Sequence, residues 1–271
     1  GIQGVEIHPT SLLSMGKPFF SDPKHLSFIE GEEFSPALSI DLSFLPSEPN
    51  NSRQDTICSL VSDTKVLHIG CTDHLPVIDE KIKTGRHLHM ALLSVCKKVI
   101  GVDIDQPSID HLTENHKVPD LYNVNLVTTT SDKIPFSDEA PFDFAIMGEI
   151  VEHLDNPVQF LSKLRTEHGS LFNKLIVTVP NAFNYNVLKQ WKRGKETINS
   201  DHRFWFSPYT ITRVLSASGY KVESIRMADV SQKMDIFSRA LNRFYSTIGS
   251  SKRLRVPQKF GATVIVVASH N

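Results

Sequence analysis

Lys65-Val-Leu-His-Ile-Gly-Cys-Thr-Asp-His74 is an apolar run rich in β-branched residues that stops at Gly70 and gives way to small and polar residues. A buried parallel strand reads this way when it opens into a tight, ligand-facing turn. The pattern returns at Lys98-Val-Ile-Gly-Val-Asp-Ile-Asp105, a second buried strand with an acid at its carboxyl end. Strand, glycine turn, helix and acid-ended strand make the first half of a nucleotide-binding α/β domain. Gly70 lets the backbone approach a ligand where a side chain would clash. The acid, Asp103, can accept hydrogen bonds from both hydroxyls of a ribose.

Outward from these strands the chain alternates. Ser52 is a plausible cap for a short helix over 53–62, after the boundary at Pro49-Asn-Asn-Ser52. Helical apolar spacing follows at 75–83 and 88–96, and again from Pro107 to Asn115. Further strands are expected at 125–130, 142–147 and 174–180, and closing strands at 220–227 and 262–268. Ile150 to Leu164 reads as helical with a break or a fresh start at Pro157, and Ser207-Pro opens a helix that Gly219 closes. The expected fold class is α/β: a Rossmann-like, seven-stranded, mostly parallel sheet with helices on both faces and an irregular N-terminal extension. Residues 1–52 form that extension, punctuated by prolines and anchored by Phe19, Phe20 and Phe34; residues 53–271 form the main domain. Within it, 181–206 reads as an aromatic lid and 231–259 as a basic insertion.

The 271 residues, 40% hydrophobic and 22% charged, suit one large domain with ample core. A net charge of −1 gives no global reason for a nucleic-acid or anionic-membrane partner. Cys58, Cys71 and Cys96 have no pair-like or metal-like spacing, which suits a reducing compartment, and the expected location is cytoplasmic. No apolar run is long enough for a membrane span and no signal-peptide pattern is visible.

Together these motifs resemble class I S-adenosylmethionine-dependent methyltransferases over about residues 55–270. The marks are Val66-Leu-His-Ile-Gly-Cys, Val99-Ile-Gly-Val-Asp103, Phe142-Asp-Phe-Ala-Ile-Met-Gly-Glu-Ile-Val-Glu-His-Leu-Asp-Asn-Pro157, Val177-Thr-Val-Pro-Asn181 and His202-Arg-Phe-Trp-Phe-Ser-Pro. The resemblance implies S-adenosylmethionine as cofactor, the glycine turn (His68, Gly70, Cys71, Thr72) against its methionine part, Asp103 at the ribose hydroxyls, and Ile104 among the cofactor-binding residues. It implies Thr130, Ser131 and Asp132 at the adenine and Gly148 at the cleft. The sequence departs from the family at His68, where an acid is usual, at Thr72, where a glycine is usual, and at Thr130, where Asp is usual. A dinucleotide dehydrogenase is disfavoured, because the turn lacks the full G-x-G-x-x-G fingerprint.

Glu149-Ile-Val-Glu152-His153 is similar to the E-x-x-E-H metal motif of quinol methyltransferases and of small-RNA 2′-O-methyltransferases; in the latter a histidine like His202 completes the site. If the segment opens a helix, Glu149, Glu152 and His153 share one face. They would hold Mg²⁺ or Mn²⁺ over two neighbouring hydroxyls. The alternatives are that His153 or Glu149 acts as general base with no metal, or that the cluster is structural. His87 and His89 read as exposed helix-start histidines, Asp155-Asn-Pro157 as a turn and cap, and Trp191 with Phe204-Trp-Phe206 as a ring-stacking surface or lid core. The motifs also resemble glycan-tailoring enzymes. The expectation is O-methylation of a sugar or polysaccharide hydroxyl. An RNA-terminal ribose, a quinol or small molecule, and an inactive methyltransferase-like binding protein are the alternatives.

Overall fold

The structure, a computed structural model, describes residue 20 and residues 22–42, 45–46, 52–229 and 261–270. Among these residues seven strands form one sheet, in the order β3-β2-β1-β4-β5-β7-β6. β1 is Lys65–Ile69, β2 Lys98–Asp103, β3 Leu121–Asn123, β4 Phe142–Gly148, β5 Phe172–Pro180, β6 Tyr220–Ala228 and β7 Thr263–His270. β3, β2, β1, β4 and β5 are parallel, while β7 runs antiparallel between β5 and β6. This is a Rossmann-like arrangement with helices on both faces. The strand order reverses between β1 and β4, and in open α/β sheets a ligand cleft lies at the carboxyl ends of such a pair.

The two-residue period of β1 builds both cores. Leu67 and Ile69 point into a large cluster shared with Leu161 and Leu164 of α6 (Pro157–His168) and Ile211 and Leu215 of α8 (Pro208–Ala217). Val66 points the other way, to Ile57 and Val61 of α2 (Arg53–Val61) and Leu88 and Leu92 of α4 (Leu88–Val95). Truncating a fully buried residue such as Leu67 to alanine should cost about 2–5 kcal/mol. α2 starts where Ser52 caps it: the Ser52 hydroxyl accepts the Asp55 N–H at 3.1 Å, and the Asp55 carboxylate accepts the Ser52 N–H at 3.2 Å. α6 starts in the same way on Asn156, whose side chain accepts the Gln159 N–H at 3.1 Å, with Pro157 in the first turn.

Several local expectations change. The 125–130 stretch is not a strand. Asn125 gathers it into a turn, its carbonyl accepting from Thr128 and Thr129 and its side chain from Val127, and the shorter β3 pairs with β2 instead. Pro157 marks a fresh start, the first residue of α6, while the residues before it form only a 3₁₀ turn, Val151–His153, in place of the expected helix. The lid stretch contains a helix, α7 (Tyr185–Trp191), capped by Asn184. The N-terminal extension contains α1 (Pro23–Glu30), which packs on α8 and whose Ile29 carbonyl accepts from Arg213. Phe20 is buried as an anchor, but Phe34 is 87% exposed. Phe19 and the basic stretch 231–259 lie outside the described residues. No helix among the described residues is long and apolar enough to cross a membrane.

His87 and His89 are not exposed helix-start residues: both are buried. His89, on α4, meets His68, on β1. Their Nδ1 atoms are 3.1 Å apart and their rings stack at 5.3 Å with 12° between planes. One Nδ1–H donates and the other Nδ1 accepts, so the accepting ring must be neutral and the two rings cannot both be protonated. Burial holds the His68 pKa well below its ordinary value and pushes that of His89 down to about 3. Below pH about 6.5 the unfolded chain therefore binds protons that the folded one refuses, down to the depressed folded values. Stability is complete above that window and falls on acidification within it, by about 1.4 kcal/mol per pH unit for each such histidine. Urea unfolding between pH 7.5 and 5 should show this slope, and a His68→Val/His89→Leu double variant should flatten it. An equal slope in both proteins would show that other groups carry it.

Candidate functional site

The cleft is lined on one side by the turn after β1 and the end of β2. Gly70 takes φ +69°, and a Cβ there would lie 2.2 Å from Ile150 Cδ1. The backbone conformation favours glycine, and the Ile150 side chain fills the space that a Cβ would take. The Gly70 and Cys71 amides are held by the Val102 carbonyl at 2.8 and 3.2 Å, which ties the turn to β2. The Cys71 side chain is buried toward Gly101, and burial pushes its thiol pKa far up. The His68 ring, buried against His89, is likewise turned away from the cleft, so either residue can offer a ligand only its backbone.

Thr72 and Asp103 form the most specific contact of this half-site. The Thr72 amide and hydroxyl both donate to Asp103 Oδ2, at 3.0 and 2.8 Å. Oδ1 accepts from the amides of Ile104 and Asp105, at 2.8 and 3.1 Å. A carboxylate has about four lone-pair sites, so Asp103 is saturated by the chain's own donors. The residue that departs from the family at position 72 is thus the one that binds the acid. Next to it Ile104 is 69% exposed, an apolar side chain left open beside an acid. Thr130, Ser131 and Asp132 are exposed at the start of a 3₁₀ turn, Ser131–Lys133, where a hydrogen bond from the Thr130 side chain holds the Asp132 carboxyl below its ordinary pKa.

The other side of the cleft departs from the helical expectation. β4 ends at Gly148, and Glu149 takes φ +57°, a left-handed conformation uncommon for a residue with a side chain. The Glu149 amide donates to the Thr178 carbonyl at 3.0 Å and to its hydroxyl at 3.2 Å, which holds the turn against β5. Its carboxylate pairs with Arg53 Nη1 at 2.8 Å instead of joining Glu152 and His153 on a helix face. Glu152 and His153 sit on the 3₁₀ turn, and His202 comes from the lid segment to meet them. One donor atom from each of Glu152, His153 and His202 lies within 4.8 Å of the other two. The two imidazoles meet edge to face at 4.6 Å. The Arg203 amide donates to the Glu152 carbonyl at 2.8 Å, and Arg203 Nε to Asp155 Oδ1 at 2.7 Å, so the lid is fastened where His202 is presented.

Glu152 is fully buried, and neither carboxylate oxygen has a hydrogen-bond partner among the described residues; His202 Nδ1 is in the same condition. Burial pushes the Glu152 pKa up to about 8, with its own amide and Arg53 opposing and the Glu149 charge adding. Burial and the neighbouring His202 lower that of His153, which favours a neutral imidazole able to act as a ligand or accept a proton. A carboxylate buried without a partner is costly, and the atoms around it suit a cation: one carboxylate and two imidazoles, converging without saturating each other.

Arg53 is the residue that sequence reasoning missed. It lies more than ninety residues from its partner, at the first turn of α2, and no local motif marks it. The exposed apolar side chains of Phe183, Tyr185, Leu188, Trp191 and Phe204 border the lid, while Phe206 turns into the core.

Residues 83–166 match the family model described as a methyltransferase domain. A Mycolicibacterium smegmatis protein, named a probable S-adenosylmethionine-dependent methyltransferase, is 26% identical over 137 residues, which are 49% of this chain and 47% of that protein. The chain thus spans about half the length of the curated relative it matches. Among solved structures, a small RNA methyltransferase aligns over 88% of this chain and 27% of its own, with 17% identity and a TM-score of 0.51. Residues 83–166 are thus similar to a methyltransferase domain, and the fold is shared with a solved methyltransferase.

Proposed function

We propose that this chain is an S-adenosylmethionine-dependent O-methyltransferase whose acceptor presents neighbouring hydroxyls, in the first place a sugar or polysaccharide. The observation that carries the proposal is the buried, unpartnered Glu152 carboxylate converging with His153 and His202 beside the glycine turn. Ile150, two residues before Glu152, packs on Gly70, so the group adjoins the cofactor side of the cleft. Asp103 would accept the ribose hydroxyls, and Ile104 would offer an apolar surface to the adenine. Gly148 would leave room at the cleft floor, where an added Cβ would come 3.2 Å from Leu88. Thr130, Ser131 and Asp132 are the proposed adenine border.

The donors fit a divalent cation, with Mg²⁺ or Mn²⁺ as the working assignment and Glu149 able to contribute once released from Arg53. Such a cation, when bound, would lower the pKa of the acceptor hydroxyl. The chain's own part is to hold that hydroxyl in line with the methyl group and to exclude water. His153 Nε2 or Nδ1 is the proposed proton acceptor. Activity should vanish with a chelator and return with Mg²⁺ or Mn²⁺; full activity in chelator would leave His153 or Glu149 as a metal-free base.

One observation favours a second acceptor. Lys189, Lys192, Arg193 and Lys195 lie on and just after α7, next to exposed Tyr185 and Trp191. Positive charge interleaved with exposed rings suits a single-stranded nucleic acid, and hence an RNA-terminal ribose. Mass spectrometry of products from glycan and RNA pools separates the two. The saturated Asp103 favours a third reading, a methyltransferase-like protein that binds without turnover; failure to bind S-adenosylmethionine at millimolar concentration would support it.

A further inference from the structure

On the outer surface, away from the cleft group, two helices bring together three metal-type donors. Asp79 lies on α3 (Ile78–Lys83), and His111 and His116 on α5 (Gln106–His116). His111 Nε2 and His116 Nε2 both point at Asp79 Oδ1, at 2.8 and 2.7 Å. One donor atom from each of the three lies within 4.8 Å of the others, and the two rings meet at 5.5 Å. His111 Nδ1 lies 2.8 Å from the Asn115 side-chain amide, one helical turn on. An outer hydrogen bond of this kind fixes a ligand imidazole in orientation.

We propose that Asp79, His111 and His116 form a second divalent-metal site, suited to a transition ion such as Zn²⁺, that clamps α3 to α5. Two imidazole nitrogens and one carboxylate oxygen, with a fourth position open to water, are a tetrahedral donor set for Zn²⁺; the cleft group differs in having a second carboxylate, Glu149, within reach for an oxygen-preferring Mg²⁺ or Mn²⁺. At metal–ligand distances near 2.0–2.1 Å, tetrahedral ligands stand about 3.3 Å apart, so Asp79 needs to withdraw from each nitrogen by only about half an ångström. The Asn115 amide then presents its oxygen to the His111 Nδ1–H, a rotation that leaves its heavy atoms in place. Beneath the donors, Ile78 of α3 and Leu112 of α5 share a small buried cluster with Val118. α3 follows the turn that contains Thr72, and α5 follows Asp103 directly. A clamp there would fix the spacing of the two loops that carry the Thr72–Asp103 contact.

Untagged protein stripped of metal would be titrated with Zn²⁺ by calorimetry, with Co²⁺ absorption as a check on coordination. The comparison is wild type, His111→Ala/His116→Ala, and His202→Ala, which disables the cleft group. The expected result is that His202→Ala keeps one tight Zn²⁺ equivalent and gains thermal stability from it. The His111→Ala/His116→Ala variant should bind that equivalent at least 100-fold more weakly and lose the thermal shift. Loss of this equivalent in the double variant, with no second equivalent in wild type, would support the surface site and show that the cleft group takes up no Zn²⁺. Wild-type stoichiometry and affinity in a folded double variant would overturn the surface site and leave a hydrogen-bonded His-Asp clip.

Discussion

Replacing Asp103 with alanine should weaken S-adenosylmethionine binding by about 100-fold or more while leaving the protein folded. Each hydrogen bond to a charged acceptor contributes about 1.5–3 kcal/mol, and a ribose offers two hydroxyls to this carboxylate. Calorimetry would measure the loss directly. A companion substitution should act in the opposite direction. Asp103 Oδ2 is engaged by both the amide and the hydroxyl of Thr72, and Oδ1 by two further amides. A ribose hydroxyl must share or displace one of these donors, and the Thr72 hydroxyl is the one on a rotatable side chain. Thr72→Ala frees that lone pair and should tighten cofactor binding several-fold. If Asp103→Ala leaves affinity unchanged, the ribose assignment fails. If Thr72→Ala weakens binding, the threonine is supporting the acid rather than competing for it.

The second large effect is expected at Glu152, where stability and function should separate. Its carboxylate is fully buried without a partner among the described residues, and burial raises its pKa to about 8. Glu152→Gln keeps the shape and removes the ionisable group, so the metal-free variant should unfold at the same temperature as wild type or higher. Divalent-ion affinity should fall by about 100-fold or more, and methyl transfer with it. A purely structural glutamate would give the reverse: lower stability with unchanged metal dependence. Thermal unfolding in chelator, paired with Mn²⁺ titration of the same samples, distinguishes the two.

Much of the fold was legible because buried parallel strands have few disguises. The runs at 65–69, 98–103, 142–148 and 172–180 are apolar, β-branched and sharply ended. The misreadings have specific causes. Leu126-Val-Thr-Thr-Thr130 has strand-like composition, but Asn125 takes its amides into a turn. At Glu149-Ile-Val-Glu-His153, helical spacing suggested one face, whereas the left-handed φ at Glu149 separates it from Glu152. That conformation answers to Thr178 on β5 and to Arg53 on α2, both distant in sequence. Burial of His89 was hidden for a similar reason: it answers to His68, another departure from the family pattern, and a lone polar residue gives no signal of its partner. The convergence of His202 on Glu152 and His153 was readable only through resemblance, since nothing local in 181–206 announces where the lid returns.

The place of β7 between β5 and β6 has a consequence for synthesis. Of the described strands it leaves the ribosome last, yet it is the one neighbour of β6 and the second neighbour of β5 among them. β3, β2, β1, β4 and β5 can zip together as they emerge, in a parallel block that already contains both walls of the cleft. β6 then has no partner, and the outer edge of β5 stays open, until residues 263–270 arrive and slot between them. A nascent chain stalled before that point would present two unsatisfied strand edges at once, the usual template for mispairing. The vulnerable interval for this sheet is thus the wait for residues 263–270, when the other described strands are out and the sixth-placed one is not.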